Sequence, residues 1–287
     1  LMHGMLVASG SRQAGKLLKI WLSEFHKIYP RVESRSRFEG SSSGIEDLLN
    51  GRPNIAISSS PIRVKEIQSF RRLKGYAPTE LKVSLGAIAI YVNKLNRLES
   101  ITLKELDAIF SKEKKRGYPK EIKSWQDLGV EKNSSIAIYL LNQNSGIREY
   151  FQKKVMLDGE YKELNASSEF STTEELTAHV AEHNNSITFG NIGIENLKVK
   201  SLKVAQKSLF PSYAPSIDNI VNGRYPLTRY YYLYFDISET RTLPPLLYEF
   251  TRYILSSDGQ KSVYKIDGIA LDPQTIGSQL SKLHSEE

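Results

Sequence analysis

Serine marks four places where a strand-like run gives way to a helix-like one: SGS at 9–11, SSS at 41–43, SSSP at 58–61 and NSG at 144–146. Serine at such a turn can do one of two things. Its hydroxyl can accept from the helix's own first-turn N–H and cap it. Alternatively, the unpaired N–H groups, the positive end of the helix dipole and the hydroxyl donors can face an anion. Ser43-Gly44-Ile45-Glu46 fits the Ser-x-x-Glu capping box unaided, so a single instance decides nothing. Four instances lie at strand-to-helix turns, where open α/β sheets place their ligands, and both readings stay open.

Other residue patterns point to different chemistry. HVAEH (179–183) puts two histidines at i and i+4 with a glutamate between, the helical arrangement that can hold zinc and supply a base. No third ligand stands out, and NNS ends the helix at once, so an ordinary surface helix is the expectation; His3, His26 and His284 read as surface or terminal residues. RYYYLYF (229–235), with a basic chain around it, could stack nucleic-acid bases, but alternating half-buried tyrosines on a strand are the plainer reading. The serine runs are not read as a nucleophile elbow: SSSG is taken to lack the first glycine of Gly-x-Ser-x-Gly, and no histidine lies near them.

The elements that position these turns follow from hydrophobic periodicity. MLVAS (5–9) is strand-like, and 15–29 is helical with Leu17, Leu18, Trp21, Leu22, Phe25 and Ile28 on one face. VESRSRF and NIAISS read as strands around a helix with Ile45, Leu48 and Leu49 inward and Gly51 as its stop. Pro61 is expected in the first turn of the next helix, IRVKEIQSFRRL. Residues 82–93 and 134–141 read as strands, TLKELDAIF as a helix, and SGIREYFQKKVM as a helix burying Ile147, Tyr150, Phe151 and Val155. TEELTAHVAEH is helical, SITFGNIGI and 229–235 are strands, and PLLYEFTRYILSSDGQKSVYKI reads as one closing helix. The alternation predicts an α/β fold with largely parallel sheets.

A chain of 287 residues with 40% hydrophobic and 25% charged residues can bury a sizeable core, and the length suits two domains. No apolar run reaches the 18 or so residues of a membrane span. The absence of cysteine rules out disulfides and thiolate metal sites. LMHGM has neither the basic start nor the apolar core of a signal peptide, as expected where a leader has been removed. A net charge of +7 favours anionic partners, yet the basic residues are scattered; SKEKKRGYPK (111–120), the one dense cluster, reads as an exposed loop.

EGSSSGIEDLLNGRPNIAISSSPI resembles the segment of phosphate-importer binding proteins with a Gly-Ser-rich turn, a helix, then a strand ending in Ser-Ser before proline. YVNKLNRLESITLKELDAIFSKE, SWQDLG, NSGIREYF, GRYPLTRYYYLYF and EFTRYILSSDGQKSV are similar to later runs of the same family, in the same order, from about residue 5 to 270. The resemblance implies a two-domain, periplasmic-binding-protein-like fold (type II), with the ligand cleft between domains joined by two hinge strands. Residues 1–88 plus 230–287 would form one domain and 89–229 the inserted one, closing by hinge motion. It implies an extracytoplasmic, monomeric binding protein, not an enzyme, that captures phosphate, or failing that sulfate, for the membrane subunits of an ABC importer. No cofactor, metal or nucleic acid is implied. A divergent sensor or adhesion protein with an altered site is the alternative.

The resemblance places the anion site at Ser11, Arg12, Gln13, Ser41, Ser42 and Ser59, with Ser145, Gly146 and Ile147 from the inserted domain. Several charged positions depart from the family pattern. Ser59 falls where some relatives carry an aspartate that accepts the phosphate proton, and Ser60 where many carry arginine. Ile147 replaces a threonine, Leu141 a ligand-binding arginine, and Gln143 an acidic residue that orients it. Arg12 and, secondarily, Arg148 are candidates to compensate, since a guanidinium can fork onto an oxyanion. Without the aspartate, discrimination of phosphate from sulfate is expected to be weaker than in the usual member.

Overall fold

The computed structural model describes residues 2–130, 134–143, 145–164, 166–266 and 268–283. The chain divides into two compact units, 1–86 with 229–287, and 87–228. It passes from one to the other inside a long strand, between Gly86 and Ala87, and returns between Thr228 and Arg229.

The first unit opens with β1 (Gly4–Gly10), α1 (Arg12–Ile28), β2 (Val32–Phe38), α2 (Ser41–Leu49), β3 (Ile55–Ser58), α3 (Val64–Lys74) and β4 (Thr79–Asn93). Its sheet runs β2-β1-β3 and is completed by β4 and a strand from the returning chain. β3 is buried along its whole length, as a strand covered on both faces must be. On α1, Leu17, Leu18, Trp21, Leu22 and Phe25 are buried as periodicity predicts, but Ile28 is 55% exposed because it lies in the last turn, past the core.

The second unit continues with β5 (Ser100–Thr102), α4 (Leu103–Phe110), β6 (Ala137–Ile138), β7 (Leu140–Leu141), α5 (Gly146–Lys154), β8 (Glu169–Phe170), α6 (Thr173–Glu182) and β9 (Ser186–Asn191). It ends with β10 (Val199–Ser201), β11 (Lys203–Ala205), β12 (Ser212–Tyr213), α7 (Ile217–Val221) and the first residue of β13 (Thr228–Phe235). β9 pairs antiparallel with β4 and parallel with β6, and Phe151 stacks on Phe189 at 3.8 Å in the core. The single strand expected over 134–141 is instead two short ones. Tyr139 N donates to Ile187 and its carbonyl accepts from Thr188 Oγ1, and the chain then leaves β9 to pair with β8.

Back in the first unit, β13 pairs antiparallel with β3. Tyr232 and Tyr234 pack with Ile45, Leu48, Ala56 and Phe70 beneath α2 and α3, so the tyrosine run is core, not an exposed stacking platform. The sheets are mixed rather than largely parallel, because both β4 and β13 run against their neighbours. The closing helix is not continuous: α8 (Pro245–Leu255) and α9 (Ser257–Lys261) meet at Ser256, which is extended and whose hydroxyl accepts from Gly259 N. A short 3₁₀ turn (Ser262–Ile266) and α10 (Pro273–Ser281) follow.

α1 is anchored to this C-terminal layer. Trp21 Nε1 donates to Gly259 O at 2.7 Å, and the Glu24 carboxylate accepts from Tyr253, Ser262 and Lys265 at 2.7, 2.5 and 2.6 Å. Burial works against the charged form, but the three donors outweigh it and hold Glu24 below its ordinary 4.5. A depressed carboxylate stabilises the fold above its unfolded value and loses that contribution as pH falls through the folded one. Glu24→Gln is therefore expected to lower stability at pH 7 by about 1–2 kcal/mol and to flatten the decline below pH 4.5. Urea midpoints across pH 3–7 check this; parallel curves for both proteins would contradict it.

Candidate functional site

The carboxyl ends of β2, β1 and β3 lie side by side, with Gly10 opposite Phe38 on one side and Ile57 on the other. Ser11 N donates to Ile57 O at 2.8 Å and Gly40 N to Gly10 O at 2.9 Å, which lace the three following turns together. α2 comes close enough that a methyl group on Gly44 would lie 2.4 Å from Gly10 Cα. This parallel register brings the starts of α1 and α2 to one edge of the sheet.

Ser11 caps α1, its hydroxyl accepting from Ala14 N at 3.2 Å, and is 2% exposed. Arg12 is exposed at the first position of α1 and makes no side-chain bond or ion pair among the described residues; Gln13 is half-buried. The buried Ser41 hydroxyl accepts from Ser59 N at 3.3 Å and lies 3.4 Å from Ser59 Oγ. The capping box expected at Ser43–Glu46 does not form. α2 begins at Ser41 with Gly40 as its cap residue, and Ser43 Oγ donates to Gly40 O instead. Hence α2 has neither a side-chain cap nor an acid in its first turn. α3 also starts later than expected, at Val64, so Pro61 precedes the helix; Ser58 folds SSSP into a turn by bonding both the N–H and the carbonyl of Ser60.

That late start makes Arg63 the cap residue of α3, and its guanidinium reaches back to donate to Ser42 Oγ. Sequence reasoning missed Arg63. The available signal was an arginine three residues beyond the SSS run, but its use depends on where α3 begins. The first glycine taken to be missing from the elbow pattern is in fact Gly40, since GSSSG (40–44) spells Gly-x-Ser-x-Gly around Ser42, but the partner of that hydroxyl is a guanidinium and not an imidazole base.

In the second unit, Ser145 caps α5, accepting from Ile147 N at 3.2 Å, and Gly146 is the first helical residue. Ile147 is buried at 4% exposure. Asn144, expected in this turn, lies outside the described residues, as does His284. Arg148 is engaged: its guanidinium donates to Leu141 O at 3.0 Å and pairs with Glu169 at 2.6 Å, over the Tyr161 ring. Burial pushes the Tyr161 phenol far up, with Arg148 opposing the shift.

The model of the PBP superfamily domain matches residues 3–258. The chain belongs to the PBP superfamily. Among curated relatives, the phosphate-binding protein PstS of Pseudomonas aeruginosa is 29% identical over 282 residues, covering 97% of this chain and 86% of that protein. A solved ABC-type phosphate transport receptor from Vibrio cholerae superposes with a TM-score of 0.76 at 19% identity, covering 93% of this chain and 99% of that one. PstS from Borrelia burgdorferi gives 0.73 at 18% identity, with 94% and 100% covered.

Within this PBP-superfamily chain the remaining candidate motifs take structural roles. His179 and His183 stack on each other at 4.0 Å, His183 Nδ1 bonds His179 O, and Tyr139 and Phe170 pack around His179. Burial first, then neighbouring His183, pull His179 below its ordinary value. No group of three metal-ligating side chains occurs among the described residues. The basic run 111–120 is an exposed loop, as expected, and it is tied down at several points. Arg116 donates to the Lys154 and Val155 carbonyls at the end of α5, Lys112 pairs with Glu160, and Lys120 with Asp127.

Proposed function

We propose that this protein captures phosphate, with sulfate as a second anion, and delivers it to the membrane subunits of an ABC importer outside the cytoplasm. It is a binding protein and performs no catalytic step. The observation that carries the reading is the start of α2. Acids are normally favoured in a helix's first turn, yet α1 and α2 carry none there. Arg12 stands at the start of α1, and Arg63 presses on Ser42 of uncapped α2. Cations at the positive ends of helices are balanced when an anion joins them. The names of the relatives supply the anion's identity and the importer. Ser11, Arg12, Gln13, Ser41, Ser42, Ser59 and Arg63 are the proposed ligands or charge donors of the first unit. Ser145, Gly146 and Ile147 are those of the second; Arg148, the secondary candidate, is taken up by Glu169 and the Leu141 carbonyl. We take the protein to act as a monomer.

Isothermal titration of ligand-stripped protein at pH 7 and low salt tests the proposal. Phosphate is expected to bind with a Kd of about 1 µM, roughly −8 kcal/mol. Sulfate is expected within about tenfold of it, because Ser59 can donate as well as accept where an aspartate would reject a fully ionised anion. No heat with either anion, from protein shown to be folded, would refute the reading. Strong preference for phosphate would refute sulfate as a second anion and the role given to Ser59, and leave phosphate capture standing.

A further inference from the structure

Between Glu195 and Asp218 the chain carries no acid but four lysines: Lys198, Lys200, Lys203 and Lys207. Within this stretch β11 and β12 form a hairpin, with Ala205 opposite Ser212, and the six residues 206–211 make its tip. All six are exposed, and two are large and apolar: Leu209 at 104% and Phe210 at 57% of full exposure. Leu209 has a φ of +68°, a left-handed conformation that is costly for an L-residue and rare for a bulky one. The Lys207 ammonium lies 5.9 Å from the Phe210 ring, and Lys207 has no carboxylate partner among the described residues.

We propose that this tip inserts into the surface of an anionic lipid bilayer. The tip is convex, and an apolar knob of this kind needs a complementary pocket to dock on a folded protein. A fluid bilayer interface takes it without one. Apolar side chains at the acyl boundary with a lysine among the headgroups is the arrangement that interfacial segments use. Lys198 and Lys200 are paired with Glu182 and Glu99, so Lys203 and Lys207 supply the charge that matches an anionic surface. Two side chains bury far less than an acyl chain, so the contact is reversible and weaker than the roughly 10⁴ M⁻¹ of a single myristoyl group. It would raise the local concentration of the protein at a membrane.

The test is co-sedimentation of the full chain with vesicles of phosphatidylcholine alone and of phosphatidylcholine with 30 mol% phosphatidylglycerol. Wild-type protein is expected to partition only onto the anionic vesicles at millimolar lipid. Leu209→Ser with Phe210→Ser should lower that partition by about tenfold or more, and Lys207→Glu by about fivefold. All three side chains are exposed in the tip, so folding and anion titration should be unchanged. Phe210→Trp should shift its emission to the blue on anionic vesicles. Protein that stays in the supernatant, a double variant that sediments like wild type, or no emission shift would each overturn the proposal. Binding only to vesicles carrying integral membrane proteins would also overturn it, in favour of a protein receptor.

Discussion

Gly10→Ala is expected to destabilise the protein by about 3–4 kcal/mol and to abolish anion binding in what remains folded. Gly10 has a φ of +140°, and a methyl group there would sit 2.0 Å from the Ile57 carbonyl oxygen. That oxygen already accepts from Ser11 N, and the Gly10 carbonyl accepts from Gly40 N, so the three turns cannot be separated one at a time. On the other side, Gly44 packs α2 against Gly10 with no room for a side chain. The added carbon must push β3 away or lift α2, and either movement displaces the helix starts proposed to hold the anion. Against a typical total stability of about 5–15 kcal/mol the loss is large but leaves a folded fraction to titrate. Gly51→Ala is the control: its φ is also positive, at +69°, but nothing lies within 4 Å, and it should cost only about 1 kcal/mol. Urea midpoints for both variants decide the matter. A Gly10→Ala midpoint equal to wild type would mean that the turns are not locked as described.

Much of this architecture is legible in the residues. The apolar runs of β1, β3, β4 and β13 and the stripe on α1 are read directly from periodicity, because burial on one face or two leaves a pattern of its own. What fails is local and has local causes. The Ser43–Glu46 box is a sound motif in the wrong place: the bond from Gly40 N to Gly10 O starts α2 at Ser41, and that bond depends on strand pairing no short window contains. Ser256 looks like one more residue in a helical run, yet its hydroxyl ends one helix and opens the next. The two-residue strands β6, β7, β8 and β12 are too short for any period to show.

The candidate site divides in the same way. Ser11, Ser41 and Ser59 share one sheet edge because strand, turn and helix succeed each other in parallel register, an order visible in the sequence. Charge placement is not visible. Arg148 is spent on Glu169, 21 residues away, through a pairing of β7 with β8 that the sequence does not announce. Arg63 is placed by the start of α3, which the turn at Ser58–Ser60 delays past Pro61.

Arg63→Ala is therefore expected to weaken phosphate binding by roughly 10- to 100-fold, the worth of one hydrogen bond to a charged group. Its side chain is 39% exposed and its ion pair with Glu66 is long, at 4.0 Å from Nε, so the charge is only partly compensated. It stands at the cap of α3 and on the first turn of α2, where two helix dipoles oppose a cation. Removing it should thus leave the unliganded protein as stable as before, or more stable by up to about 1 kcal/mol. Arg63→Lys should fall between, keeping the charge but losing the planar fork that can hold two oxygens. Added salt should narrow the gap between wild type and alanine variant, since the guanidinium is partly exposed and screened. Phosphate and sulfate should lose affinity together, because the interaction reads charge and not protonation. Titration of the three proteins at two salt concentrations, with urea midpoints beside them, tests each step. An alanine variant within twofold of wild type would remove Arg63 from the site and leave the α2 amides and hydroxyls to hold the anion without it.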